Sequence, residues 1–189
     1  MSGRHQMYRL AGIPSVYWDV KPRAYVREEG LTSKFEGIVE ACGRPGKGMN
    51  YGVVVESRDK SVRPAFTAAI LKFLIALHKR PGNWRTFTYI SSIIRSTKFD
   101  YNRFEDNLLA IMTHPPGQIV AIDGMSSKVM ATVEEDEKVR MLDMFERLFQ
   151  NGAILIISTS DNQDRFEKML GEDLSQLLSD NLGTWGKLE

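Results

Sequence analysis

The sequence has one cysteine, Cys42, few prolines and no excess of charge of either sign. A single cysteine excludes an internal disulfide and a cysteine zinc cluster, and it agrees with a reducing compartment. Lysine and arginine number 25 against 24 aspartate and glutamate, so any nucleic-acid surface must be local. No apolar run approaches the length of a membrane helix, and residues 1–10 lack the apolar centre of a signal peptide. We therefore expect a cytoplasmic protein that does not bind membranes.

The common signatures of metal and nucleophilic catalysis are also missing. His5, His78 and His114 are too far apart in the sequence to share the spacing of a metal site. No G-x-S-x-G nucleophile motif is present, and Cys42 lies beside a turn with no motif around it. These absences disfavour a metalloenzyme and a serine or cysteine hydrolase.

The composition is that of a folded globular protein, with 42% apolar and 26% charged residues. We expect an N-terminal arm over residues 1–30, because Gly12, Pro14 and Pro22 interrupt any periodic pattern there, and one α/β domain over residues 31–189. The arm is expected to lie against the domain through four apolar or aromatic side chains: Leu10, Ile13, Tyr17 and Trp18.

Short apolar runs alternate with helical patterns along the domain. The runs predict buried strands at 51–56, 86–91, 118–123 and 153–158. The helical patterns cover 31–41, 64–80, 103–112, 134–149 and a single final segment at 165–182. Strands that alternate with helices of this length imply parallel crossovers. The predicted fold is a three-layer α/β/α domain with a mostly parallel sheet.

Ligands of parallel sheets bind at the carboxyl ends of the strands. Polar residues follow three of the predicted strands at that end, in the loop 56–63, at Asp123-Gly124 and at Thr159-Ser160-Asp161. These are the places where a functional site is expected.

Several segments in this order resemble the AAA+ P-loop ATPases. LAGIPSVY at 10–17 is similar to the segment that enters the ATPase domain of the helicase-loader branch, which includes DnaC, DnaI and the related IstB. GVVV at 52–55, the loop that follows it and AFTAAIL at 65–71 resemble the first strand, phosphate loop and helix of that family. QIVAID at 118–123 resembles the Walker B strand, and residues 154–161 resemble the sensor-1 strand. The resemblance covers about residues 10–182 and implies a P-loop NTPase fold.

The phosphate loop departs from the family pattern. A Walker A loop, G-x-x-x-x-G-K-S/T, uses glycines to expose backbone N–H groups, a lysine for charge and a hydroxyl for magnesium. The matching positions here are Ser57, Val62, Arg63 and Pro64, and Gly124 replaces the second Walker B acid. The segment 166–178, which resembles the one with the trans-acting arginine, has no arginine at the expected place, GEDLSQLL. The resemblance thus implies a degenerate nucleotide site without catalytic residues, cofactor or metal, consisting of Ser57, Lys60, Ser61, Arg63, Asp123, Thr159 and Asp161.

Other interpretations of these residues remain open. GRPGKG at 43–48 has the composition of a phosphate loop, but it follows a helix and precedes a strand, which is the reverse of a working loop. Lys60 and Arg63 are either ligands of an anion or DNA phosphate, or solvated loop charges. An alternative hypothesis is a functional ATPase with an atypical site that uses ATP and magnesium, and another is a structural or assembly subunit.

The function hypothesis is a catalytically inactive helicase-loader-type protein in phage or mobile-element replication. Its implied partners are a replicative helicase or an AAA+ loader, with single-stranded DNA as a further candidate. The residues to test first for DNA contact are local cations: Lys79, Arg80, Arg85, Arg95, Lys98 and Arg103.

Overall fold

The computed structural model describes residues 3–43, 52–97, 100–106 and 115–188. Its helices are α1 (Gly3–Leu10), α2 (Pro22–Glu28), α3 (Thr32–Gly43), α4 (Val62–His78), α5 (Phe87–Ser96), α6 (Tyr101–Phe104), α7 (Ser127–Met130), α8 (Glu135–Gln150), α9 (Gln163–Leu170) and α10 (Glu172–Asn181), with a 3-10 turn at Ser15–Tyr17. Its strands are β1 (Gly52–Glu56), β2 (Gly82–Thr86), β3 (Ile119–Asp123), β4 (Ile154–Thr159) and β5 (Thr184–Lys187).

The five strands form one sheet in the order β2-β3-β4-β1-β5, and every pairing is parallel. From β1 the chain crosses to the far edge at β2, returns through β3 and β4, and adds β5 on the other side of β1. The strand order therefore reverses between β1 and β4, whose carboxyl ends form the topological switch point where such sheets bind ligands. The predicted parallel α/β fold is confirmed.

Both faces of the sheet are covered, which explains why the central strands are apolar at every position. Val53, Val55 and Ile156 face the layer made by the arm, α3 and α4. Val54 and Ile157 face the layer that contains α5 and α8 to α10. The alternation of neighbouring residues between the two cores is the period of two expected of a strand.

Helix α4 begins and packs as the sequence predicts, with Pro64 in its first turn and ten of its residues buried. One of those buried residues is charged. The Nζ of Lys72 donates to the carbonyls of Tyr17 and Trp18, both at 2.9 Å, and to that of Val20. This lysine fastens the end of the 3-10 turn to the core.

The arm is more regular than its sequence predicts, because it contains α1, the 3-10 turn and α2. The carbonyl of Ala11 accepts the N–H of Trp84 at 2.7 Å, so the arm is bonded to β2. Ile13 is buried as predicted. The prediction for Leu10 is wrong, since this side chain is 76% exposed and Ala11 occupies the buried position beside β2.

The predictions for two elements are wrong, namely the strand at 86–91 and the single helical segment at 165–182. The strand placed at 86–91 is β2 at Gly82–Thr86 followed by α5, which begins where the Thr86 hydroxyl accepts the N–H of Tyr89 at 3.3 Å. The final segment is two helices, because Gly171 has φ of +82° and separates α9 from α10. Strand β5 follows α10 and was not predicted.

Three predictions concern residues outside the described ranges: Lys98, most of the loop 43–48 and most of the helix 103–112. In the part of the chain that the structure describes, no helix is both long and apolar enough to cross a membrane.

Candidate functional site

The loop after β1 is tied to β4 by its first residue. Ser57 is buried, and its backbone N–H donates to the carbonyl of Thr159 at 3.0 Å. The Ser57 hydroxyl accepts the N–H of Asp59 at 3.1 Å. Ser57, which matches the first Walker A glycine in the sequence, therefore continues the pairing of β1 with β4 one residue beyond the end of β1.

The N-terminus of α4 is occupied by a carboxylate from the loop itself. Oδ1 of Asp59 accepts the backbone N–H and the hydroxyl of Ser61, both at 2.7 Å, and the N–H of Val62 at 3.2 Å. The hydrogen bond from the Ser61 hydroxyl is the main cause that lowers the pKa of Asp59, and the two backbone hydrogen bonds add to it. Sequence reasoning missed Asp59, although aspartate is a preferred residue at the N-terminal cap of a helix. Lys60, in the same loop, is exposed.

Arg63 lies between the β1 loop and the end of β3. Its Nη1 is 3.4 Å from the carbonyl of Ser57, and its Nε is 3.9 Å from Oδ1 of Asp123. The arginine and aspartate side chains are only 14% and 17% exposed. The Nε is buried and has no hydrogen-bond partner among the described residues. The structure thus brings two predicted site residues together as a long, partly buried ion pair.

Asp123 is also bonded to the neighbouring strand. The hydroxyl of Ser158, on β4, donates to Asp123 Oδ1 and accepts the N–H of Gly124 at 3.0 Å. The N–H of Met125 donates to the carbonyl of Ser158 at 2.9 Å. The carboxylate at the end of β3 is therefore held by an arginine on one side and a serine on the other.

Asp161 links β4 to the helices on the opposite side of the switch point. It is 7% exposed and accepts both the N–H and the hydroxyl of Ser127, with Oγ to Oδ1 at 2.9 Å. Arg165 on α9 lies 3.3 Å from the same carboxylate, and the Asp161 N–H donates to the hydroxyl of Thr159 at 3.0 Å. Both predicted residues of the sensor-1 segment thus have bonding partners inside the protein.

A second buried carboxylate at this edge was not predicted. Glu56 ends β1 and is 5% exposed, and its Oε2 accepts the indole N–H of Trp185 at 2.7 Å. The Nζ of Lys187 is 4.0 Å from its other oxygen. Both partners lie on β5, a four-residue strand whose sequence, TWGK, has no strand pattern to signal it.

Two tyrosines of the arm side cover the same region. The hydroxyl of Tyr25 donates to the carbonyl of Val62 at 3.3 Å, and burial is the main cause that raises its pKa to about 12. Burial also raises the pKa of Tyr17, and the negative charge of Asp123 adds to that effect. The arm therefore closes over the start of α4.

The candidate DNA contacts that the structure describes lie on several different elements. Lys79 and Arg80 follow α4, and the Arg80 Nη1 lies 3.5 Å from the carbonyl of Gly152, before β4. These two cations are thus at the amino edge of the sheet. Arg85 is on the edge strand β2, where its Nη1 donates to the carbonyl of Trp84 at 2.8 Å.

Two further candidates already have acidic partners. Arg95 on α5 lies 3.2 Å from Glu137, a carboxylate only 2% exposed, and also donates to the carbonyl of Thr132 at 2.7 Å. Arg103 is paired with Asp100 at 3.3 Å. Their charge is partly balanced within the protein.

The described residues contain no group of three or more histidine, cysteine, aspartate or glutamate side chains placed to hold a metal ion.

Comparisons of the sequence with protein-family models and with curated proteins find no match. Solved structures give matches. Domain III of the replication initiation protein DnaA from Thermotoga maritima matches with a TM-score of 0.64 and 14% identity, over 94% of this chain and 68% of that one. The DnaC helicase loader matches with a TM-score of 0.64 and 14% identity, over 93% and 100% of the two chains. A DNA replication initiation factor matches with a TM-score of 0.62 and 13% identity, over 90% and 50%.

At identities this low the similarity concerns the fold. Each of the three matches covers 90% or more of this chain, and so extends over both the sheet and its helices. The chain therefore has an α/β fold similar to that of domain III of DnaA and of the DnaC helicase loader.

Proposed function

We propose that this chain is a catalytically inactive AAA+-like protein of the helicase-loader type, which binds a replication partner and does not hydrolyse ATP. The observation that carries the proposal is the carboxylate of Asp59 on the N–H groups of Ser61 and Val62. In a P-loop, the N–H groups at the start of this helix bind phosphate. Here a side chain that is itself negatively charged uses them.

The residues present do not match what ATP and magnesium require. A triphosphate would have to displace the Asp59 carboxylate and would otherwise be repelled by it. Pro64 supplies neither a hydroxyl for the metal nor a backbone N–H. The Asp123 carboxylate, at the Walker B position, faces the Arg63 guanidinium at 3.9 Å. A cation there would compete with a positive charge that is already in place.

The same contacts hold the loop in one conformation, which is a role that a bound nucleotide would otherwise have. Asp59 caps α4, Arg63 bridges β1 and β3, and Ser158 joins β3 to β4. Protein groups thus bond to one another across the switch point. An AAA+ domain built in this way is suited to binding through its surfaces, since it needs no nucleotide cycle to order its loop.

The proposed partner is a replicative helicase or an AAA+ loader, with single-stranded DNA as a further ligand, in phage or mobile-element replication. Support comes from the fold, which matches a helicase loader over 93% of this chain.

Reconstitution of the purified chain with the replicative helicase and the loader of its host tests the proposal. We expect a complex on size-exclusion chromatography that forms equally with ATP, with ADP and without nucleotide. Arg63→Ala is the matched control, because it alters the loop and leaves the outer surface intact. Complex formation that requires ATP and is lost in Arg63→Ala would favour a functional ATPase with an atypical site. Failure to bind helicase, loader and single-stranded DNA would favour a structural subunit.

A further inference from the structure

We propose that a groove on the arm side of the domain docks an amphipathic helix of a partner protein, with an apolar face and acidic flanks. The groove, here called the arm groove, lies between α1, the segment 18–24 and one side of α4. Its volume is about 1300 Å³. This inference rests on the proposed function only in that the partner is a protein, and it adds the surface and the chemistry of the contact.

The floor of the arm groove is apolar. Met7, Trp18, Phe73 and Ala76 line it, and the Met7 side chain is 37% exposed. The one charge beneath them, on Lys72, is directed at three backbone carbonyls and is only 3% exposed. Apolar surface in a concave site is where the side chains of a docked helix bury their area.

Two of the aromatic rings in the groove already have a cation over one face. The Nζ of Lys72 lies 4.5 Å from the ring centre of Tyr8, and the guanidinium of Arg23 lies 5.5 Å from that of Phe73. Single-stranded nucleic acid depends on stacking against open rings. Rings that are already paired with cations leave less surface for stacked bases, which favours packing by aliphatic side chains of a protein ligand.

The rim of the groove carries positive charge. Arg4, Lys21 and Arg23 line it and are exposed. Asp19 is the only acid among the described lining residues, and it lies 3.2 Å from His5. The described lining thus has three exposed cations against this one acid, whereas the whole chain is balanced at 25 against 24. A ligand complementary to this rim is acidic.

A direct binding measurement tests the arm groove on the intact chain. The probe is a fluorescein-labelled peptide of about 20 residues, long enough to be helical, with leucines at positions three and four apart and glutamates elsewhere. A peptide of the same composition in scrambled order is the control. We expect fluorescence anisotropy to show that the ordered peptide binds at least about tenfold more tightly than the scrambled one.

Two surface variants locate the site. Ala76→Glu places a carboxylate on the exposed α4 face of the floor, and Arg23→Glu reverses a rim charge, so each should weaken peptide binding by about tenfold or more. Leu77→Glu is the matched control, because Leu77 is the next residue of α4, is 50% exposed and does not line the groove. It should leave the affinity within about twofold. Circular dichroism of each variant checks that it is folded.

Equal binding of the ordered and scrambled peptides would overturn the inference, as would an Ala76→Glu variant that binds like the wild type. The inference would also be overturned if an oligothymidylate bound more tightly than the peptide and this binding were lost in Arg23→Glu. That result would identify the groove as a nucleic-acid site. The peptide test needs no helicase. If the chain binds no replication partner, the result of the peptide test is unchanged. If the groove binds no peptide, a complex with the helicase should still form, and Ala76→Glu should not affect it.

Discussion

The Nε of Arg63 lies 3.9 Å from Oδ1 of Asp123, so a residue from the first turn of α4 faces the carboxylate that ends β3. In a working P-loop enzyme the corresponding lysine and acid serve the phosphates and the magnesium ion. In this chain the side chains of Arg63 and Asp123 pair with each other. The pair is too long for a strong hydrogen bond, and its two side chains are mostly shielded from water, so its main effect is to neutralise two charges at the switch point.

Replacement of Asp59 tests whether its carboxylate holds the start of α4. Asp59→Ala removes the acceptor of the Ser61 and Val62 N–H groups, and we expect a lower melting temperature in a thermal unfolding scan. Lys60→Ala, at the neighbouring exposed position, is the control and should melt like the wild type. An unchanged melting temperature in Asp59→Ala would show that the cap is not formed in solution.

The pH dependence of stability gives a second test of the same contact. The pKa of Asp59 is below its ordinary value of 3.8 in the folded state, so its contribution is present above that value and is lost as the pH falls through the folded pKa. Asp59→Asn cannot titrate. The difference in melting temperature between the wild type and Asp59→Asn should be largest near neutral pH and shrink on acidification. A difference that grows on acidification would contradict the assignment.

Lys72 is expected to hold the arm to the domain. Lys72→Met keeps most of the volume of the side chain but removes three hydrogen bonds from a charged donor. We expect a loss of about 2 kcal/mol in the free energy of unfolding, with faster hydrogen exchange over α1 and the 3-10 turn. Lys79→Met, at an exposed position after α4, should change stability by less than about 0.5 kcal/mol. Unaltered exchange in the arm of Lys72→Met would rule out this role.

Two glycines are expected to respond to alanine with opposite signs. Gly12 has φ of +71°, and a Cβ there would lie 3.0 Å from the carbonyl of Trp84 and 2.7 Å from Arg85 Nη1. Gly12→Ala should therefore cost about 1–2 kcal/mol. Gly37 lies within α3 with no atom in the way of a Cβ, so Gly37→Ala should stabilise by about 0.5–1 kcal/mol. Chemical denaturation measures both, and equal effects would contradict the account of Gly12.

The Glu56 and Trp185 contact should be measurable as a coupling energy. Trp185→Phe keeps an aromatic ring beside Phe166 but leaves the buried Glu56 carboxylate without its indole donor, at a cost of about 1–3 kcal/mol. In a double-mutant cycle with Glu56→Leu, which removes the acceptor, the two losses should not add. Strictly additive losses would mean that the hydrogen bond contributes nothing to stability.

The central strands could be predicted because they are buried on both faces, which leaves long β-branched runs such as GVVV and AILII in the sequence. The boundary between β2 and α5 could not. TFTYIS has the composition of a strand, yet the spacing of Phe87, Ile90 and Ile94 is helical and all three are fully buried. Strand β5 is short and half-exposed, and its place depends on pairing with β1.

The sequence predicted one part of the site, because that part depends only on the order of the strands and helices. The ends of parallel strands meet at one edge of the sheet, so the closeness of Arg63 and Asp123 follows from the order of the elements. The role of Asp59 depends on the turn that the loop makes, and that of Glu56 depends on β5. The Glu56 contact has no signal in the local sequence, whereas Asp59 is a residue type that commonly caps helices.

Calorimetric titration of the purified chain with ATP in the presence of magnesium tests the central claim most directly. The closed phosphate loop predicts no saturable heat at millimolar nucleotide, and no rise in melting temperature, whereas a ligand at 100 times its Kd would add about 2.7 kcal/mol to stability. A one-to-one isotherm that weakens in Arg63→Ala would show that the loop still accepts a triphosphate, and it would contradict the account.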